Sequence, residues 1–148
     1  MNNYLCIFTI CLLLSGCGLP PEPSNVKISR QAADGLTQSS FDQGYLQHLV
    51  DEYQQGAEQS LQQRYDANNT PQQERLSQAQ ASGHYEWIGE HQLAVIELTY
   101  NPNPMRVLRV VGITRDQLVT ITCISPQGAP LDIKAKTGEC AEAISENF

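Results

Sequence analysis

Between positions 46 and 65 apolar side chains recur every third or fourth residue: Leu46, Leu49, Val50, Tyr53, Ala57, Leu61 and Tyr65. That period puts them on one face of a helix, and the spacing predicts one helix over residues 41–65. The opposite face is glutamine-rich and acidic, as a solvated surface is. Ser40-Phe41-Asp42-Gln43 has the form of a capping box at its start, with the Ser40 hydroxyl accepting from a backbone N–H and Gln43 reaching back. Gly44 and Gly56 weaken the helix by about 1 kcal/mol each relative to alanine. Asp66 to Pro71 breaks it. Residues 71–81 hold one sizeable apolar side chain, Leu76, and read as a partly helical surface connection.

Elsewhere the period shortens to two. Residues 25–30 alternate apolar and polar, a short strand before the helix, and Ala33-Asp34-Gly35 marks a turn. Tyr85 to Ile88 forms a strand that leads into a tight turn at Gly89-Glu90-His91. Three more strands are predicted over residues 93–100, 105–114 and 117–125, parted by Asn101-Pro102-Asn103-Pro104 and Arg115-Asp116. Short connections imply an antiparallel meander. Residues 138–148 close the chain as a second helix. The expected fold class is α+β: an antiparallel β-meander of three to five strands packed against one long helix and a C-terminal helix.

Val119, Ile121 and Cys123 share one face of the last strand, and Cys140, Ile144 and Phe148 share one face of the last helix. If that helix packs on that sheet face, Cys123 and Cys140 meet. A disulfide is the natural reading of an even pair in an oxidising compartment.

The compartment follows from the front of the chain. Residues 5–14 form an apolar run too short to span a bilayer, which takes roughly 20 residues. It closes on Leu14-Ser15-Gly16-Cys17. This junction resembles the lipobox of bacterial lipoproteins, although Met1-Asn2-Asn3-Tyr4 lacks the usual positive charge. The resemblance implies a signal peptide over residues 1–16, cleavage before Cys17, a diacylglycerol on the Cys17 thiol and an acylated amino group. Gly18, in place of the aspartate that often marks inner-membrane retention in that family, favours the outer membrane. Residues 17–24, with Pro20, Pro21 and Pro23, read as a stiff tether, and residues 25–148 as one globular domain. Cys6 and Cys11 leave with the leader.

The order strand, long helix, meander, terminal helix resembles the PsbP/Mog1/DcrB-like α/β sandwich. The likeness rests on the strands at 25–30, 93–100, 105–114 and 117–122 and on the helix ending at Phe148. Members usually carry a further strand pair before the long helix, for which this chain has only residues 18–30, so a reduced sheet is expected. The likeness implies an accessory, assembly or chaperone-like role and brings no catalytic residues.

The formal net charge is −7, and residues 1–16 carry no charged side chain, so the excess belongs to the chain from Cys17 onward. Phosphate binding needs clustered Lys and Arg, so nucleic acid is not an expected partner. His48, His84 and His91 stand without a second ligand at metal-site spacing. Asp51 and Glu52 diverge on the helix surface. No nucleophile elbow, phosphate loop or His-Glu-x-x-His motif occurs. Arg106 and Arg109 fall on opposite strand faces, and Arg109, between Val107 and Val111, needs a carboxylate partner such as Glu97. Tyr85, Trp87 and Tyr100 gather near the first hairpin as core or as a candidate interface.

The expected protein is therefore a non-enzymatic, lipid-anchored envelope lipoprotein facing the periplasm. It binds the membrane through Cys17 and a protein through an exposed face, with no metal and no cofactor. The alternative is a periplasmic immunity or inhibitor protein against a toxic or lytic enzyme.

Overall fold

A computed structural model describes residues 25–148 apart from Leu76; the apolar leader, Cys17 and the Pro-rich tether lie outside the described residues. Strand β1 (Val26–Ala32) comes first. The long helix α1 follows in three continuous parts, Gln38–Ser40, a π-helical turn Phe41–Tyr45, and Leu46–Ala67. A 3₁₀ turn (Gln72–Glu74) leads to β2 (Gln78–Ile88), β3 (His91–Asn101), β4 (Arg106–Thr114) and β5 (Gln117–Ser125). Helix α2 (Glu139–Asn147) ends the chain.

The five strands form one antiparallel sheet in the order β1-β5-β4-β3-β2. Strands β2 to β5 are the expected meander. Strand β1 adds on the far side of β5, with Val26 opposite Cys123 and Ala32 opposite Gln117. The chain therefore leaves one edge through α1 and returns at the other.

The register sorts the side chains into two cores. Ala94, Ile96 and Val111 face α1 and pack with Phe41 and Leu49, and farther along Leu98 and Val107 pack with Ala57. Leu93, Val95, Val110, Val119, Ile121 and Cys123 face the other way and pack with Ala143 and Ile144 of α2 and Ile133 of the preceding loop. The two helices thus cover opposite faces. This explains why β3 reads as a continuous apolar run: both of its faces are buried.

Three polar latches tie α1 to β2 and to the residue before it. The Tyr85 hydroxyl donates to the Phe41 carbonyl and accepts from the Leu46 N–H at 3.0 Å. Those two backbone groups are five residues apart, so the phenol spans a π-type pair, the kind of insertion that locally unwinds a helix. The Gln54 amide accepts from Ala81 N–H at 2.6 Å and donates to Ala79 carbonyl at 2.8 Å. The Tyr65 hydroxyl accepts from Ser77 N–H at 2.9 Å and donates to its carbonyl at 3.1 Å.

Several expectations change. Thr37, not Ser40, caps α1: it is extended (φ −89°, ψ 160°) and its hydroxyl accepts from Ser40 N–H at 3.1 Å. Ser40 is already helical and caps nothing, while Gln43 donates to Ser39. Residues 78–81 are strand, not a partly helical connection, because Gln54 and β3 take up their backbone groups. His91 belongs to β3, leaving Gly89-Glu90 as the turn.

Candidate functional site

The strand directions bring three turns to one end of the sheet. Asp34-Gly35, Gly89-Glu90 and Arg115-Asp116 each contain backbone in the left-handed region, with φ of 48° at Asp34, 60° at Gly89 and 61° at Asp116. Positive φ at both Arg115 and Asp116 gives a two-residue hairpin the twist its strands need. The Ala33 N–H donates to the Asp116 carbonyl at 3.0 Å and joins the first turn to the third. Between them lies an open depression of about 920 Å³ beside the start of α1.

Leu36 and Ile113 line it and connect to the core beneath. Asp34, Asp42, Glu90 and Asp116 ring it, against Arg115 and His91. Trp87 stands at its margin with 59% of its surface exposed, which for so large an apolar ring is unusual. Behind Trp87 is a second hollow of about 460 Å³, lined by Ile88, Ile133, Ile144 and Phe148. The indole is thus a ridge between two recesses.

The other aromatics have different jobs. Tyr85, a candidate interface residue by sequence, is half-buried and occupied by its latch on α1. Tyr100 is half-buried and packs against the cluster of Ala57, Leu98 and Val107. Of the three, Trp87 is the ring left at the surface.

Cys123 and Cys140 are bonded, with Cα atoms 5.8 Å apart, so α2 is stapled to β5. Cys17 lies outside the described residues. Asp51 accepts from Gln47 and Glu52 pairs with His48 at 3.5 Å, so each carboxylate turns back along the helix. His84 meets Glu86 at 3.1 Å, and Lys134 reaches the same carboxylate at 3.1 Å. The hydrogen bonds from His84 and Lys134 hold the Glu86 carboxyl below its ordinary range. Among the described residues no group of three His, Cys, Asp or Glu side chains is placed to hold a metal ion.

Glu97 is not the partner of Arg109. It faces the α2 side and pairs with Arg106 at 3.3 Å. Arg109 faces α1, and its guanidinium carbon lies 4.2 Å from the Tyr53 ring centroid. Burial raises the Tyr53 phenol above its ordinary value although Arg109 pulls it down. Sequence reasoning missed this stack, because a carboxylate and an aromatic face satisfy an arginine equally well and only the helix position decides between them.

No family model, curated protein or solved structure matches the chain.

Proposed function

We propose that this protein is a lipid-anchored envelope lipoprotein, non-enzymatic, that binds a basic protein partner through the Trp87 depression. The observation that carries the reading is a solvent-facing tryptophan beside a hollow ringed by four carboxylates. Tryptophan is the residue most enriched among binding hot spots, and a rim with an excess of one charge sign, here four carboxylates against Arg115, speeds and orients encounter with the opposite sign. The geometry also suits a tether. The described chain starts at Asn25, beside the Ser125 end of the sheet, whereas Trp87 and the three turns lie at the other end. A domain held at a bilayer through Cys17 would present Trp87 away from it, by about the length of β1, roughly 20 Å.

Lipidation and export rest on the Leu14-Ser15-Gly16-Cys17 junction, and the outer membrane on Gly18. Among the described residues no helix is long and apolar enough to cross a membrane. The likeness to the PsbP/Mog1/DcrB-like sandwich rests on the order of elements.

Two measurements test the proposal. Mass spectrometry of the protein isolated from cells should find diacylglycerol on Cys17 and no residues before it; an intact Met1 refutes the anchor. A photo-reactive side chain replacing Trp87 should give one discrete adduct with a basic protein in intact cells. The same group replacing the exposed Gln62 on α1 should not. Adducts that are absent, or identical from both positions, refute the interface. The acidic rim also favours the inhibitor reading, since a secreted hydrolase that is basic would fit the same face. In that case the captured partner loses its activity on stoichiometric addition of this protein.

A further inference from the structure

Helix α1 lies mainly over β2 and less over β3, so a groove of about 480 Å³ opens between the helix and β4. Arg109 stands in it. Its guanidinium face is covered by Tyr53, and among the described residues no carboxylate lies within ion-pair distance of it. No buried side-chain nitrogen or oxygen lacks a hydrogen-bond partner among those residues. The guanidinium donors without a protein partner are therefore the ones open to the groove. Tyr53, Leu98 and Tyr100 supply apolar surface among the polar side chains of Glu52, Gln55, Gln59 and Ser60. Gly56 lies on the helix beside it, and a β-carbon there would meet no atom within 4 Å. A side chain at position 56 would therefore enter the groove without displacing a packed atom.

We infer that this groove is a carboxylate-binding subsite anchored by Arg109, which takes a monoanion carried on an aromatic or apolar body. A guanidinium already stacked on one ring presents its planar edge to two oxygens at once, the geometry that matches a carboxylate. Stacking on Tyr53 also orients the fork beforehand, so little side-chain freedom is lost on binding. Glu52 on the rim and the net charge of −7 penalise a dianion more than a single charge, which selects carboxylate over phosphate. The volume falls within the range of small-ligand sites, about 300–1,000 Å³. The subsite is independent of the Trp87 depression, which shares no lining residue with it.

The test is NMR titration of the full isotope-labelled chain, in nonionic detergent, following the Arg109 side-chain N–H and the Tyr53 ring. N-acetyl-phenylalanine should give a saturable shift at both. Its C-terminal amide should bind at least about tenfold more weakly, the loss of one charge-assisted hydrogen bond. Arg109→Gln should cost a similar factor. Because that change could also loosen the helix, Gly56→Leu serves as the second variant: it fills the groove, favours the helix and should abolish the shift with no fall in Tm. A stronger response to 3-phenylpropionate than to N-acetyl-phenylalanine assigns the subsite to a free acid, and the reverse to a chain terminus; both support it. Equal binding of acid and amide, tighter binding of inorganic phosphate, no saturable shift, or full binding by Gly56→Leu overturns it.

Discussion

Reducing the Cys123–Cys140 bond should release α2 before the rest of the fold. The bond closes a segment with a sequence separation of 17. In the chain-entropy treatment a loop of that size restricts the unfolded state by about 3 kcal/mol at room temperature. Unfolding entropy near 2.1 cal/mol/K per residue, over about 120 residues, gives roughly 0.25 kcal/mol/K, so the melting temperature should fall by about 12 °C. Reduction is a cleaner perturbation than mutation, since no side-chain atom is removed and no cavity is cut around Cys123, which is 1% exposed. The loss is uneven. Helix α2 has nine residues, too few to persist alone, and without the bond it is held by Ala141, Ala143 and Ile144 against the sheet. Calorimetry of the oxidised and reduced protein gives the shift, and amide hydrogen exchange gives its location. Protection should drop first over residues 139–147 and last in β3 and β4. A shift smaller than about 3 °C, or equal loss of protection in α2 and β4, would refute the staple.

Gly83 has no room for a methyl group: a β-carbon there would lie 2.8 Å from Val50 Cγ2 and 3.0 Å from Leu46 Cδ1. Gly83→Ala should therefore cost about 1–3 kcal/mol by pushing α1 off β2, whereas Gly56→Ala should stabilise by up to about 1 kcal/mol; urea unfolding of the two reads opposite signs. Gln54→Ala strips the amide from the Ala79 and Ala81 backbone. It should cost about 1–3 kcal/mol, and light scattering should reveal association through the bared edge of β2. The Glu86 carboxyl, depressed first by the His84 hydrogen bond and then by Lys134, makes this cluster acid-sensitive. Its stabilisation is complete above the ordinary glutamate value of 4.5 and is lost as pH falls through the lower folded value. Glu86→Gln should remove that part of the acid dependence in a series of thermal melts.

Where hydrophobic period and turn chemistry agree, sequence and structure coincide. Strand β5 spans the expected residues 117–125, Arg115-Asp116 is the hairpin turn, and Cys123 finds Cys140. Agreement was poorer where bonds cross between elements. Residues 78–81 alternate small and polar side chains, a weak strand signal, and are held as strand by Gln54 on one side and β3 on the other. The start of α1 moved to Gln38 because Thr37 competes with Ser40 for the cap, and the extended backbone after Leu36 favours Thr37.

Local chemistry alone determined the class of fold, the strand limits set by glycine, proline and asparagine, the strand and helix faces that carry Cys123 and Cys140, and an acidic chain behind a lipobox-like junction. These depend on neighbours a few residues away, so one chain suffices to read them. Tertiary structure decided which edge β1 would join, that the two helices take opposite faces, that Arg109 stacks on Tyr53 while Glu97 goes to Arg106, and that Trp87 remains outside near the turns that carry Asp34, Glu90 and Asp116. Each of those depends on strand direction and on where α1 lies across the sheet, which are set by the sum of many weak long-range contacts and leave no periodic trace in the sequence.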